Sequence, residues 1–321
     1  MNSKKALISG ISGQDGAYLA KLLLEKGYQV FGTARDAQMA SFQNLEKLGI
    51  RQRVTLLSMA LNDFRSVLQS LSKAQPDEVY NLAGQSSVGL SFDQPVETLE
   101  SITLGTLNLL ESIRFLQQPI RLYSAGSSEC FGDTGGVPAD ESTPFHPRSP
   151  YAVAKSAAHW EVANYREAYN LFACTGILFN HESPLRPERF VTRKIIKTAC
   201  HIAAGRSEKL QLGNISIARD WGFAPEYVDA MWRMLQQDTP ADYVIATGET
   251  NTLEGFVVET FAQLGLDWQD HVATDSSLLR PSEIMVSRGN PEKAYRKLGW
   301  RAQQRMKDVI RIMISAEQEN A

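Results

Sequence analysis

Short apolar runs alternate with longer segments of helical periodicity over about the first 180 residues of this chain. The runs have the length and character of buried strands, and the longer segments repeat their apolar residues at helical spacing. Strands are predicted at 6–9, 28–33, 54–57, 78–83, 121–125 and 174–179, and the predicted helices include 104–115 and 151–169. This alternation predicts an α/β fold built on a Rossmann-type, doubly wound parallel sheet.

The pattern becomes less regular beyond residue 180. We expect residues 1–180 to form a Rossmann-type domain and residues 181–321 to form a smaller, intergrown C-terminal α/β lobe that binds substrate. Segment 242–248 resembles a further strand, which we expect to return to the first sheet. No internal repeat, low-complexity segment or obvious linker separates the two parts, and this favours intergrown lobes.

A glycine-rich turn joins the first predicted strand to the first predicted helix. Its three glycines follow a G-x-x-G-x-x-G spacing, which a strict search for G-x-G-x-x-G would miss. Glycines allow the backbone to approach a pyrophosphate closely, and the helix N-terminus offers free N–H groups. The turn therefore predicts a dinucleotide site, with contacts from Gly10, Gly13, Gln14, Asp15 and Gly16.

The end of the second predicted strand bears on which nicotinamide cofactor is bound. An acidic residue there accepts from the ribose 2′-hydroxyl of NAD, whereas an arginine accommodates the 2′-phosphate of NADP. The chain offers both, as Arg35 followed by Asp36. Because Arg35 lies nearer the strand, we expect NADP, with NAD as the alternative.

Composition narrows the functional classes. The net charge of −3 over 321 residues provides no basic stripe for nucleic acid, and no apolar stretch approaches the length of a membrane span. The three cysteines are widely spaced, and the five histidines lack the spacing of metal ligands. No signal-peptide core precedes the first strand. We therefore expect a cytoplasmic enzyme without a bound metal, a membrane partner or a nucleic-acid partner.

Four polar side chains carry the candidate chemistry. Tyr151 and Lys155 lie one helical turn apart, and such a pair on its own is more often a solvated surface pair. Following a dinucleotide-binding turn, the pair suits redox chemistry at a carbinol carbon, with Ser127 as a hydrogen-bonding hydroxyl. Glu129 is either a strand-end carboxylate with a structural hydrogen bond or a base. Its position two residues after Ser127, on the same side of an extended chain, favours the base.

Several longer segments resemble a known family. Residues 81–86, 147–155 and 164–169 are similar to the extended short-chain dehydrogenase/reductase superfamily. More narrowly, these segments and 176–184, 190–194 and 219–222 resemble GDP-mannose 4,6-dehydratases. The likeness runs from the glycine turn to 298–300, nearly the whole chain.

The resemblance implies a reaction and a role for each of the four side chains. Tyr151 would take the proton of the sugar 4-hydroxyl as the C4 hydride leaves, with Ser127 bonded to the same oxygen and Lys155 favouring the phenolate. Glu129 would remove the C5 proton, the C6 hydroxyl would leave as water, and the hydride would return to C6. The cofactor, expected to be tightly bound NADP, would undergo no net redox change.

The resemblance also implies further contacts, and arginines suit a substrate pyrophosphate because their planar donors match phosphate oxygens. Beyond the glycine turn, the expected cofactor contacts are Arg35, Leu82, Ala83, Gln85, Tyr151 and Lys155. The expected contacts with a GDP-sugar are Ser86, Asn180, Glu182, Arg186, Arg193, Lys194, Asn214, Arg219, Arg280 and Glu283.

Departures from the family pattern leave alternatives open. The family has consecutive arginines and serines where this chain has 35–39, so a homodimer and the family's homotetramer are both retained. The family's adenine-contacting aspartate is absent after the third strand, unless Asp63 replaces it. Ser127 replaces a threonine, Gly126 a serine and Pro187 a glycine. The alternatives are a dehydratase for another nucleotide sugar such as a GDP-heptose, a reductase or epimerase of a GDP-4-keto-6-deoxy sugar, or a non-catalytic nucleotide sensor.

Overall fold

The computed structural model describes residues 3–206 and 209–319. The strands are β1 (Lys5–Ser9), β2 (Gln29–Ala34), β3 (Val54–Ser58), β4 (Glu78–Asn81), β5 (Arg121–Ala125), β6 (Ala173–Leu178), β7 (Asn180–Glu182), β8 (Leu210–Leu212), β9 (Ala218–Phe223), β10 (Tyr243–Ile245), β11 (Thr250–Thr252) and β12 (Val272–Thr274). The α-helices are α1 (Gln14–Glu25), α2 (Gln43–Lys47), α3 (Phe64–Ala74), α4 (Val88–Asp93), α5 (Pro95–Leu99), α6 (Gly105–Leu116), α7 (Pro150–Tyr169), α8 (Val191–Ala203), α9 (Ala224–Leu235), α10 (Leu253–Gln263), α11 (Glu292–Leu298) and α12 (Met306–Glu319).

A seven-stranded parallel sheet organises the first part of the chain, in the order β10-β6-β5-β4-β1-β2-β3. Leu7 of β1 lies between Phe31 of β2 and Val79 of β4. The central strands are apolar on both faces because helices cover both: Ile8 packs in the core on the side of α1 and α9, and Leu7 in the core on the side of α3 and α6. The predicted α/β fold is confirmed.

Strand order reverses between β1 and β4, the position at which ligands of open parallel sheets bind. The chain segments that leave β1, β4, β5 and β6 therefore emerge side by side at one edge. Two predicted strands are shorter than expected there: 78–83 ends at Asn81, and 242–248 is reduced to Tyr243–Ile245. Residues 82–83 and 246–248, which follow these two strands, form loops at the same edge.

The second part of the chain forms smaller sheets and a separate helical core. β11, β9 and β7 form one sheet, and β12 pairs with β8. Helices α8, α10 and α12 pack together through buried residues such as Ile196, Phe256 and Ile310. β10 leaves this part and pairs in parallel with β6 of the large sheet, with Tyr243 opposite Gly176. A domain boundary at residue 180 stays a prediction.

No helix within the described ranges is both long enough and apolar enough to span a bilayer.

Candidate active site

The glycine turn brings the ends of β1 and β4 into contact. Gly10 has a φ of +75°, and a Cβ added there would lie 2.9 Å from the backbone of Ala83. The Gly13 N–H donates to the Gly10 carbonyl at 3.1 Å. Gly13 is the N-cap of α1 and supplies no side-chain acceptor for the first N–H groups of the helix. A close-packed glycine cradle below a helix N-terminus of this kind fits the pyrophosphate of a dinucleotide.

Gln14 and Asp15, both predicted to contact the cofactor, direct their side chains towards the second part of the chain. Gln14 donates to the His181 carbonyl at 3.2 Å and accepts from the Ser183 hydroxyl at 2.8 Å. An Asp15 carboxylate oxygen lies 2.9 Å from Nε2 of His181. The first turn of α1 is thus bound to β7 and the residues after it. Cofactor contacts of these two side chains stay predictions.

Arg35 and Asp36 follow β2, and their side chains have different surroundings. Asp36 accepts from the N–H groups of Gln38 at 2.8 Å and Met39 at 3.2 Å, so its carboxylate caps its own loop. The Arg35 side chain is exposed. Asp63, the other acidic candidate near the adenine, is the N-cap of α3 and accepts from the Arg65 N–H at 2.9 Å.

The loop after β4 carries four predicted contacts, and its backbone is fixed by Ser9 at the end of β1. The Leu82 N–H donates to the Ser9 carbonyl at 3.2 Å, and the Ala83 N–H donates to the Ser9 hydroxyl at 3.4 Å. Further along, Gln85 donates to the Ser87 carbonyl at 2.7 Å. The Ser86 hydroxyl accepts from Arg189 at 3.4 Å, a contact between this loop and the segment before α8.

Ser127, Tyr151 and Lys155 meet beyond the ends of β5 and β6. The Tyr151 side chain is almost fully buried and hydrogen-bonds with Ser127. The Lys155 ammonium donates to the Ala125 carbonyl at 2.7 Å and lies 5.9 Å from the centre of the Tyr151 ring. Burial raises the pKa of Tyr151, although the Ser127 hydrogen bond opposes the rise, and burial lowers the pKa of Lys155 to about 8. Burial therefore disfavours the Tyr151 phenolate in the isolated chain, in contrast to the expectation that Lys155 would favour it.

Glu129 lies in the short 3-10 helix Ser128–Phe131, so the extended chain expected between Ser127 and Glu129 was wrong. The Glu129 side chain is half-buried and close to two arginines. Burial raises the pKa of its carboxyl above the ordinary value of 4.5, and the charges of Arg219 and Arg280 offset part of the rise. Arg219 lies 3.3 Å and Arg280 lies 3.6 Å from the same carboxylate oxygen of Glu283. The structure thus brings four predicted residues together as a compact charged cluster.

Backbone contacts hold this charged cluster in place. The segment after Glu283 lies against β9, where the Ala218 N–H donates to the Met285 carbonyl at 2.7 Å. The same segment lies against the loop after Glu129, because Asp133 accepts from the Met285 N–H at 2.9 Å and the Thr134 N–H donates to the Val286 carbonyl at 3.0 Å. Three distant segments of the chain therefore meet at the cluster.

Asn180, Glu182 and Arg186 belong to β7 and the turn after it. Asn180 lies opposite Trp221 of β9. A Glu182 carboxylate oxygen accepts from the Thr192 hydroxyl at 2.8 Å and lies 3.0 Å from Nε of Arg186. The Arg186 guanidinium is stacked 3.7 Å from the centre of the Phe190 ring. Arg186 is therefore held on two sides by neighbours of its own segment.

Three predicted substrate contacts have other partners among the described residues. Arg193 forms an ion pair with Glu317 of α12, and Lys194 donates to the Gln211 carbonyl at 2.7 Å. Asn214 accepts from the Ser216 N–H at 2.9 Å. Substrate contacts of these three side chains stay predictions.

The sequence analysis assigned Asn180 and Glu182 but gave no role to His181 between them. The His181 ring is buried, and Nδ1 lies 2.7 Å from the Phe179 carbonyl oxygen. Burial lowers the pKa of this imidazole, but the charge and hydrogen bond of Asp15, together with the Phe179 carbonyl, outweigh burial, so that the net shift is upward. Alternation along a short strand could have indicated that His181 faces the opposite side from its two neighbours.

Comparison with known proteins identifies the family of this chain. The sequence profile of the family described as GDP-mannose 4,6 dehydratase matches residues 7–313. GDP-mannose 4,6 dehydratase 1 of Arabidopsis thaliana is 47% identical over 328 residues, covering 99% of this chain and 91% of that relative.

Two solved structures are similar in fold. The dTDP-glucose 4,6-dehydratase of Bacillus anthracis in complex with NAD gives a TM-score of 0.86 at 18% identity, covering 99% of this chain and 97% of that one. RMD of Pseudomonas aeruginosa complexed with NADPH gives 0.81 at 23% identity, covering 99% and 100%. Because both the family profile and the plant relative extend over nearly the whole sequence, the chain belongs to the GDP-mannose 4,6-dehydratase family.

Proposed function

We propose that the protein is a hydro-lyase that converts GDP-mannose into GDP-4-keto-6-deoxy-mannose and water. Membership of the family supports the substrate. The observation that carries the reaction type is the position of Glu129, half-buried beside Arg219 and two residues from Ser127, which contacts Tyr151. A simple alcohol oxidation needs only the serine, tyrosine and lysine, so a half-buried carboxylate with a raised pKa near them would supply the additional base that dehydration requires.

A nicotinamide dinucleotide is the cofactor that this site would hold. The cradle at Gly10 and the first N–H groups of α1 would bind its pyrophosphate, with the backbone of Leu82 and Ala83 alongside. We further propose NADP, since Arg35 is exposed at the end of β2 whereas Asp36 caps its own loop. NAD remains the alternative. When bound, the cofactor would supply reversible hydride transfer, accepting a hydride from one sugar carbon and returning it to another.

Tyr151 and its neighbours would handle the proton on the sugar O4. Tyr151 accepts this proton as C4 is oxidised, while Ser127 hydrogen-bonds with the same oxygen. Lys155 presents a positive charge on the same helix, and burial lowers its pKa to about 8. The resulting 4-ketone makes the C5 proton more acidic, which prepares the second half of the reaction.

Glu129 would then act as base and as acid in turn. Its carboxylate removes the C5 proton and passes a proton to the C6 hydroxyl, which departs as water and leaves a double bond between C5 and C6. The hydride would return to C6, and C5 would take up a proton. The sugar thus loses two protons, the one that Tyr151 takes from O4 and the one that Glu129 takes from C5. One of these leaves in the water, and the proton taken up at C5 compensates for the other, so the reaction balances.

We propose that the protein assembles as a homodimer or homotetramer. Large apolar side chains on α5 and α7 support this assignment, because Val96, Val153 and Trp160 are exposed in the single chain. Sedimentation equilibrium measures the assembly directly.

The proposed reaction is tested with GDP-mannose carrying deuterium at C4 and no added cofactor. Intramolecular return of the hydride places the deuterium in the C6 methyl group of the product, where mass spectrometry and NMR detect it. Tyr151→Phe, which keeps the ring but lacks the acid–base hydroxyl, serves as the inactive control. Deuterium that is lost to solvent, or that stays at C4, would contradict the mechanism.

The alternative activities have their own outcomes in the same assay. A reductase or epimerase would leave GDP-mannose unchanged and would act on a GDP-4-keto-6-deoxy sugar, the reductase only with added NADPH. A dehydratase for a GDP-heptose would process that sugar faster than GDP-mannose. Dinucleotide binding without turnover of any of these sugars would indicate a nucleotide sensor.

A further inference from the structure

The hydrogen bonds of His181 define its protonation state. Nδ1 lies 2.7 Å from the Phe179 carbonyl oxygen, which can only accept, so Nδ1 must carry a proton. Nε2 lies 2.9 Å from an Asp15 carboxylate oxygen, which also accepts. A neutral imidazole has only one N–H and would place a lone pair against the carboxylate. Both contacts are satisfied together when His181 is an imidazolium.

Asp15 places a carboxylate close to the expected position of the cofactor pyrophosphate. It is in the first turn of α1, directly after the glycine cradle where the cofactor pyrophosphate would bind. A carboxylate stabilises the positive end of a helix, but it also repels a phosphate that approaches the same end. Nε2 of His181 lies 2.9 Å from the Asp15 carboxylate, so an imidazolium there would offset this repulsion.

His181 and Asp15 are surrounded by few other charges. The His181 ring is stacked on Tyr227 of α9, with ring centres 4.5 Å apart, and it feels the charge of Arg186 from the turn after β7. The charge of Arg186 also acts on Asp15, and Asp15 interacts electrostatically with Lys155 of α7 and with Tyr123 of β5. Its second carboxylate oxygen accepts from Gln14 at 3.0 Å. Asp15 is therefore the one carboxylate that faces His181 among the described residues.

We propose that His181 is a positioning residue whose positive charge neutralises Asp15, fixes the first turn of α1 against β7 and so permits tight binding of the dinucleotide. The inference rests on the proposed function only in that the chain binds a nicotinamide dinucleotide. It is independent of which sugar reacts. Because Asn180 and Glu182 flank His181 in β7, the same contact joins the cofactor half of the site to the substrate half.

The ion pair of His181 and Asp15 makes dinucleotide binding dependent on pH, with affinity falling as pH rises. The pKa of His181 in the folded chain is raised above its ordinary 6.5, with Asp15 opposing the effect of burial. The pair is fully formed below pH 6.5 and is lost as pH rises through the raised pKa. Above that value Asp15 keeps its negative charge without compensation, and affinity for the dinucleotide falls.

The experiment measures the dissociation constant of NADPH from pH 6 to pH 10, by its fluorescence, for the full chain and three variants. His181→Gln keeps a hydrogen-bond donor but removes the charge, and we expect binding about tenfold weaker at neutral pH. Above neutral pH its affinity should decline only as far as Lys155, whose pKa burial lowers to about 8, loses its own charge. Asp15→Asn removes the repelling charge, and we expect tight binding with the same decline from Lys155 and without the additional decline of the parent. The double variant carries neither charge, and we expect it to bind nearly as tightly as the parent.

Recovery in the double variant separates electrostatic neutralisation from simple structural support. A structural role alone predicts a double variant at least as impaired as His181→Gln, and that result would overturn the proposal. His271→Gln, a ring stacked on Phe261 in the second part of the chain, is the matched control and should behave as the parent. If His181→Gln fails to fold, a smaller decline of affinity with pH in Asp15→Asn than in the parent still decides the question.

The same measurements distinguish this inference from the proposed function. A parent chain that binds no nicotinamide dinucleotide at any pH would refute the proposed function. Tight binding by the parent with equal affinity for Asp15→Asn and the parent at every pH would refute only the role of His181.

Discussion

At the scale of single residues, burial and neighbouring charges have opposite effects on the pKa of the proposed base. Burial raises the pKa of Glu129, and the neighbouring Arg219 and Arg280 lower it again. A base must be ionised to accept a proton, so turnover declines as pH falls through the pKa of Glu129. The arginines thus extend the active range towards acid in addition to any contact they make with the substrate pyrophosphate.

Arg280→Gln should therefore move the acid limb of the kcat profile to higher pH, by roughly half a unit to one unit. The variant removes one of the two positive charges that lower the pKa of Glu129 and leaves Arg219 in place. The measurement is kcat at saturating substrate between pH 4 and pH 9. Arg280→Lys keeps the charge and should retain the parent profile even if its KM rises. An unchanged acid limb in Arg280→Gln would restrict Arg280 to substrate binding.

At the scale of elements, the apolar pattern of the sequence was sufficient to predict the strands of the large sheet but not the loops and contacts that form the site. Period and run length located the strands from β1 to β6, because strands buried on both faces are uniformly apolar. The pattern did not indicate that β4 ends at Asn81, since the following apolar residues, Leu82 and Ala83, leave the sheet for the loop that lies against Ser9. Long-range contacts, such as His181 with Asp15, have no local periodic signal.

Gly10 and Gly27, which lie before and after α1, allow a test of whether the close backbone contact at Gly10 is needed for dinucleotide binding. Both have positive φ, +75° for Gly10 and +84° for Gly27, but only Gly10 would place a Cβ against neighbouring backbone. Gly27→Ala should cost about 1 kcal/mol of unfolding free energy and leave dinucleotide binding unchanged. Gly10→Ala should cost more than about 2 kcal/mol and abolish that binding.

Urea denaturation and NADPH titration measure these two effects separately. Equal losses of stability in both variants would mean that conformation alone matters at Gly10. Retained binding in Gly10→Ala would place the pyrophosphate elsewhere.

At the scale of the whole molecule, β10 ties the two parts of the chain together. Asp242, directly before β10, forms two contacts with the Arg166 guanidinium at 2.9 and 2.7 Å. It also accepts from the Thr175 N–H of β6 at 2.7 Å, and both charged side chains are mostly buried. A bidentate, mostly buried pair of this kind is costly to disrupt from one side only.

Asp242→Asn should lower the free energy of unfolding by about 3 kcal/mol, because it leaves the Arg166 charge without its partner. The exposed pair of Arg296 and Glu292, with its contact at 2.6 Å, provides the matched control. Glu292→Gln should change stability by less than about 0.5 kcal/mol. Urea unfolding of both variants makes the comparison, and similar small losses would show that β10 is held by its strand pairing alone.

β10 is synthesised well after β6, its neighbour in the large sheet, and this order affects the chain while it is still on the ribosome. Until residues 243–245 have been synthesised, β6 presents an unpaired edge to the surrounding solution. An open parallel edge of this kind readily recruits another polypeptide. Truncation at residue 180 should consequently produce aggregates instead of an autonomous nucleotide-binding module, because β6 would keep its open edge.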